Sequence, residues 1–150
     1  MNELRELYQE VILDHNKRPR NFGVLPGFSG RAEGYNPLCG DRVSVAVLMD
    51  GDVVEDVRFE GAGCAISQAS ASLMTESVKG RTICQTNELF QQFHQMVTGD
   101  GPVVWAEEKL EPLSALAGVR EFPIRIKCAT LPWHTLLAAL ENDSQDVSTE

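Results

Sequence analysis

The sequence predicts a mixed helix-and-sheet fold in which helices pack on an antiparallel hairpin, and three features point to it. Two runs alternate apolar and polar residues: Arg42 to Met49 through Val43, Val45, Val47 and Met49, and Val53 to Phe59 through Val53, Val57 and Phe59. Segments on either side of this pair repeat their apolar residues at helical spacing. Glycine and proline mark the joins between them.

Taken in order, Asn2 to about His15 spaces Leu4, Leu7, Tyr8, Val11 and Ile12 as one face of a helix, with Asn2 as its cap. Pro19, Gly23, Pro26, Gly27 and Gly30 then form a loop, and Arg31 to Tyr35 is expected as a short strand before Asn36-Pro37-Leu38. In the hairpin, a three-residue loop over Asp50-Gly51-Asp52 keeps both apolar faces on one side. That register sets Val43 opposite Phe59, Asp41 opposite Gly61, and Cys39 opposite Gly63 beside Cys64. Ile66 to Val78 is a helix rich in small residues, ended by Gly80, and Asn87 to Val97 is another, capped by Asn87 and broken by Gly99 to Pro102. A short helical turn is expected near Leu113 to Leu116. The last helix starts at Pro123, runs to about Leu140, and is expected to kink or restart near Cys128, because Pro132 cannot donate to the Cys128 carbonyl. Residues 1–141 form one domain, and 142–150 a frayed acidic tail.

The chain of 150 residues, 43% hydrophobic and 23% charged, is long enough for one buried core. A net charge of -9 excludes a general nucleic-acid binder, which needs clustered Lys and Arg. No stretch approaches the roughly 20 apolar residues of a membrane span, and the amino terminus lacks a signal-peptide pattern, so a cytoplasmic protein is expected. Its four cysteines are then expected as reduced thiols, available for metal binding or chemistry.

Cys39-Gly40-Asp41 offers two anionic ligands on alternate positions around a flexible glycine. Cys64 follows Gly61-Ala62-Gly63 at a strand-to-helix turn, where the helix's positive end favours thiolate. Cys128 stands near Arg125 and Lys127, whose charge lowers a thiol pKa and offsets the site's anions. Three thiolates and a carboxylate suit zinc or an iron–sulfur cluster. The carboxylate at Asp41 points to a bond more exchangeable than in a closed structural site.

The runs Leu7 to His15, Asn36-Pro37-Leu38-Cys39-Gly40-Asp41, Gly61-Ala62-Gly63-Cys64-Ala65-Ile66-Ser67 and Arg125-Ile126-Lys127-Cys128-Ala129-Thr130-Leu131 strongly resemble the IscU/NifU-like iron–sulfur assembly proteins. Lys127 stands where the IscU scaffolds carry histidine, and the Cys64 to Cys128 interval is lengthened around Thr98 to Glu111. Both features resemble the SufU branch. The chaperone-binding Leu-Pro-Pro-Val-Lys motif is replaced by Phe122-Pro123-Ile124-Arg125-Ile126, so the resemblance does not extend to an Hsp70-type partner.

The resemblance implies an α+β, SufE/NifU-like fold: a small antiparallel sheet of about three strands with helices packed on it. It implies zinc on Cys39, Asp41, Cys64 and Cys128, with Arg125 and Lys127 behind these ligands. It also implies a sulfurtransferase-like role, with Cys39 accepting persulfide sulfur from a pyridoxal-phosphate cysteine desulfurase of the SufS type. In SufU relatives the desulfurase is expected to supply a histidine that replaces Cys39 on zinc. The sulfur would pass to a SufBCD-type scaffold, with no nucleic acid or membrane involved. The alternative is a scaffold building a [2Fe-2S] cluster on the same ligands.

Cys84 lies outside every matched run and reads as a spare thiol. His15, His94 and His134 read as packing or surface residues, and Trp105 and Trp133 as core or interface anchors.

Overall fold

The computed structural model describes residues 2–99, 103–141 and 147–148. Helix α1 (Asn2–Lys17) leads into strands β1 (Gly30–Asn36), β2 (Asp41–Asp50) and β3 (Val53–Ala62), followed by helices α2 (Ala65–Val78) and α3 (Ile83–Thr98). A 3₁₀ segment, Glu108–Glu121, precedes helix α4 (Pro123–Leu140). The three main strands pair antiparallel, and the two-residue β4 (Val147–Ser148) lies parallel to β1, giving the order β3-β2-β1-β4. Apart from β4, the segment expected as an acidic tail lies outside the described residues. No helix among the described residues is long and apolar enough to cross a membrane.

One face of the sheet is the core face, made by Val43, Val45 and Val47 of β2 and by Val54, Val57 and Phe59 of β3, all buried. On β1 the inward residues are small: Gly30, Ala32, Gly34 and Asn36. That choice lets α4 lie close to the sheet. A Cβ at Gly34 would run into Thr135 Oγ1, and one at Gly30 into the Ala139 carbonyl. Helix α2 is buried nearly all round, and its serines and alanines admit α4 on one side and α1 on another. Ser70 Oγ donates to the Ala129 carbonyl, fixing the α2 to α4 contact where the sulfur residues will fall. Trp133 is fully buried and stacks on Phe93 at 4.7 Å, while the indole N–H of Trp105 donates to Ser114 Oγ at 2.8 Å. Both tryptophans are thus core anchors.

The hairpin register differs from expectation. Asp50 pairs with Val53 across a two-residue turn, and an irregularity between Leu48 and Met49 leaves Glu55 extra on β3. Gly51 at φ +61° supplies the left-handed backbone that a short hairpin turn needs. The extra residue restores the in–out alternation that this turn alone would reverse. Val43 therefore faces Gly61 and Val45 faces Phe59, so β3 has slid by two residues; Val57 and Phe59 stay on the core face, but the extra residue puts Val54 there in place of the expected Val53, which is only half-buried. The outer edge of β3 is not bare, because Gly23 N donates to Phe59 O, Phe59 N to Asn21 O, and Val54 N to Arg81 O.

Three helical boundaries also move. Helix α3 starts four residues before Asn87, because Thr82 and Gln85 form a capping box, with Gln85 N donating to Thr82 Oγ1 and Thr82 N to Gln85 Oε1. The turn expected near Leu113 to Leu116 extends to the full 3₁₀ segment, whose Leu110, Leu113, Leu116 and Val119 are buried. Helix α4 runs unbroken through Pro132. The proline removes a single donor, while the flanking Leu131, Trp133 and Leu136 are fully buried and hold the helix in place.

Helices α1 and α2 are joined by a buried histidine. His15 Nδ1 lies 2.7 Å from Ser72 Oγ, and Nε2 lies 3.7 Å from Glu76 Oε1. Burial, then the charge of Arg20, pushes its pKa down to about 4, and Asp14 opposes the shift. The unfolded chain protonates this ring near the ordinary value of 6.5. Between those two values it binds more protons than the folded chain, so His15 costs nothing above 6.5 and destabilises progressively below it. Urea unfolding at stepped pH should therefore show stability falling toward pH 4, by up to about 1.4 kcal/mol per pH unit from this residue. His15→Gln, which keeps a polar partner for Ser72, should remove that share of the slope.

Candidate metal centre

At one end of the sheet, the turn between β1 and β2 is built by Asn36. Its carbonyl accepts from Cys39 N at 3.3 Å and Gly40 N at 2.8 Å, and its Oδ1 accepts from Leu38 N at 3.2 Å. Gly40 takes φ +72°, a conformation that most side chains resist, and so turns the chain from Cys39 into Asp41. The fully buried Asn36 side chain also donates through Nδ2 to Cys128 Sγ at 3.7 Å. Asn36 was not among the residues expected at the site. Its signal was the Asn-Pro pair, which starts a turn and leaves the amide facing inward at the strand end.

Asp41, also fully buried, accepts the Cys64 backbone N–H on Oδ1 at 2.8 Å, and its Oδ2 lies 3.8 Å from Cys64 Sγ. The two-residue slide of β3 is what puts Asp41 against Gly63 and Cys64 instead of opposite Gly61. Gly63 is obligatory there, since a Cβ would collide with the Asp41 carboxylate. Cys64 is the N-cap of α2, and its sulfur accepts from Ser67 N at 3.4 Å. From the far side α4 delivers Cys128, 1% exposed, with its sulfur 3.2 Å from that of the exposed Cys39.

Cys39, Asp41 and Cys128 offer ligand atoms that all lie within 4.8 Å of one another. Cys64 adjoins them through Asp41 but stands outside that tight group. Burial pushes the Cys128 thiol far up, and its hydrogen bonds with Asp41 and Cys39 and the negative charges of Cys64 and Asp41 push it further. The donor set fits a thiophilic divalent cation on a second count. Asp41 is a carboxylate sealed from water with no cationic side chain as partner among the described residues, and such a charge is costly unless a cation compensates it.

Of the remaining residues, Arg125 and Lys127 are those expected behind the ligands, and His134 and Cys84 those expected outside the site. The exposed Arg125 has its guanidinium over the Phe122 ring at 4.7 Å, and neither it nor Lys127 makes an ion pair among the described residues. His134 meets the Phe90 ring at 5.1 Å on the α3 to α4 side, where burial and then His94 lower its pKa. Cys84 is exposed at the start of α3, 4.0 Å from Glu88.

Fold and site together define a class: an α+β domain with helices on a small antiparallel sheet and a cysteine–aspartate cluster at the sheet's end. The chain belongs to the NifU-like N-terminal domain family, whose model matches residues 7–141. It is 46% identical over 136 residues to the zinc-dependent sulfurtransferase SufU of Bacillus subtilis, spanning 89% of this chain and 88% of that one. It is 41% identical to the iron–sulfur cluster assembly scaffold protein IscU of Streptococcus pyogenes, over 96% of this chain and 89% of that one. A crystal structure from Fervidobacterium islandicum, described as a candidate iron–sulfur cluster assembly scaffold protein for the SUF system, superposes with a TM-score of 0.79 at 38% identity. That superposition covers 91% of this chain and 98% of the other.

Because Asp41 is held in place by the bare Cα of Gly63, Gly63→Ala should swing the carboxylate away. Competition with a chromophoric chelator should show divalent-metal affinity reduced at least about tenfold, the scale seen when a group that orients a ligand is disturbed. Far-ultraviolet circular dichroism should stay unchanged.

Proposed function

We propose that the protein is a zinc-dependent acceptor and carrier of persulfide sulfur in iron–sulfur cluster assembly. Its partner on this reading is a pyridoxal-phosphate cysteine desulfurase of the SufS type, and its sulfur goes on to a SufBCD-type scaffold. The observation that carries the reading is the pairing of an exposed Cys39 sulfur with a buried Asp41 and Cys128 within ligand reach. The name of the Bacillus relative supports the zinc and the sulfur transfer, and the name of the Streptococcus relative supports iron–sulfur cluster assembly.

Cys39, Asp41, Cys64 and Cys128 would hold the ion. When bound, zinc keeps the sulfurs deprotonated and covered. The chain's own residues do the rest. Cys39, on the turn shaped by Asn36 and Gly40, is the thiol that a partner's persulfide can reach. Its thiolate attacks the terminal sulfur of the desulfurase persulfide, a new S–S bond forms on Cys39, and the desulfurase cysteine leaves as thiolate. No external oxidant is needed, because the sulfane sulfur moves with its oxidation state unchanged. Cys64 and Cys128, one capping α2 and the other inside α4, stay fixed while the turn moves. Asp41, held by Cys64 N–H, is the hard oxygen donor in a soft set, a weaker bond to zinc than a fourth thiolate.

Desulfurase turnover of cysteine, followed as alanine formed, should rise severalfold on adding this protein. Cys39→Ser should abolish both the stimulation and the added sulfur seen by intact mass. Full sulfur uptake by that variant would remove Cys39 as the acceptor.

A further inference from the structure

The inward positions of β1 before its last are glycine or alanine, and only Asn36 puts a polar side chain there, fully buried. Closing a turn does not require that burial. Oδ1 accepts Leu38 N at 3.2 Å, and an exposed asparagine closes such a turn equally well. What burial adds is the other end of the amide, whose Nδ2 donates to Cys128 Sγ at 3.7 Å. A neutral thiol is a weak acceptor, whereas a thiolate draws a stronger, charge-assisted bond from the same N–H. The amide therefore suits Cys128 as a metal ligand better than Cys128 as a free thiol.

We propose that Asn36 is a positioning residue for Cys39: anchored on Cys128, it holds the turn against the ion and so limits how readily the Cys39 sulfur leaves it. The proposal rests on the reading of Cys39 as a zinc ligand that must leave the ion to accept sulfur.

Three hydrogen bonds carry the hold from the anchor into the turn. Oδ1 fixes Leu38 N, and the Asn36 carbonyl accepts Cys39 N at 3.3 Å and Gly40 N at 2.8 Å. Asn36 itself is paired with Asp41 at the start of β2, which makes it the fixed end. Beyond it, residues 37–40 are all exposed, and Gly40 in the left-handed region gives the turn a hinge on its far side. Loss of the side-chain amide frees the root of the turn from its hydrogen bond to α4, while the backbone of β1 and β2 keeps its pairing.

The test reads the release of Cys39 by alkylation. The zinc-loaded full chain is treated with iodoacetamide and mapped by peptide mass, with Cys84, exposed at the start of α3, as the internal reference. In the unmodified chain Cys39 should react more slowly than in metal-stripped protein. Equal rates would show that the ion does not hold Cys39, so the ligand reading would fall and take this proposal with it. Two variants then separate the parts of the amide. Asn36→Ala removes both side-chain bonds, and Asn36→Ser keeps a hydroxyl for Leu38 N but is too short to reach Cys128. Both should alkylate Cys39 at least about tenfold faster relative to Cys84, the scale on which groups behind a metal ligand act, with Cys64 and Cys128 unchanged. Shielding by zinc that neither variant relieves, or a serine variant that matches the unmodified chain, would overturn the assignment while leaving Cys39 a ligand. Equal acceleration at Cys64 and Cys128 would overturn it too, since Asn36 would then support the fold as a whole. Should Asn36→Ala not fold, Asn36→Ser decides alone.

Discussion

The hydrogen bond from Cys64 N–H to Oδ1 of the fully buried Asp41, 2.8 Å long, ties the start of β2 to the start of α2 and sets where the sulfurs stand. Burying a carboxylate is costly, and here two features offset the cost. The amide belongs to the first turn of α2, where free N–H groups and the helix dipole favour negative charge. Gly63 lets the carboxylate approach that amide, and Gly61, where a Cβ would strike the Arg42 carbonyl, lets β3 turn out of the sheet beside it. A side chain at Gly63 displaces the Asp41 carboxylate, and one at Gly61 presses on the β2 backbone.

A second constraint is the close seating of α4. The inward face of β1 reads Gly30, Ala32, Gly34, Asn36, so the helix meets backbone along most of the strand and a polar side chain only at its end. Filling Gly34 would force apart Thr135, Leu131 and Val43, an overpacking that typically costs about 1–3 kcal/mol. The helix so placed brings Cys128 to Asn36, and Asn36 in turn shapes the loop that presents Cys39. Through a contact with Cys128 that spans 92 positions, Asn36 therefore couples the depth of a helix to the position of the exposed Cys39 thiol.

Much of this was legible in the chain. Alternation over Val43, Val45 and Val47 gave the core face of β2, and helical spacing gave α1, α2 and α4 nearly at their observed limits. The hairpin register was not legible, because Asp50-Gly51-Asp52 fits both two- and three-residue loops, and a bulge at Glu55 cannot be seen by counting. The two choices agree that Val57 and Phe59 face inward and differ on Val53 against Val54 and on what lies against Asp41. The start of α3 was missed where Thr82 and Gln85 outcompete Asn87 as a cap. Asn36 escaped notice because a buried amide that donates to a sulfur is chosen by tertiary packing, and its sequence neighbours report only the turn.

The burial that positions Cys128 also decides what it binds. With no cation beside it, a thiol 1% exposed and facing Asp41 and two other sulfurs keeps its proton, since each added negative charge makes ionisation harder. A divalent cation among those ligands inverts the balance, because the same charges that opposed a bare thiolate now stabilise the ion that replaces the proton. Metal and proton are therefore alternatives at this end of the sheet, and loading the site expels protons into solvent. Cys39 differs in that it is exposed, on the turn between β1 and β2. The site is thus graded from an outer, exposed sulfur to an inner one whose charge depends on the ion. That gradient follows from the fold, because the outer thiol is on a turn and the inner one on a helix pressed against glycine.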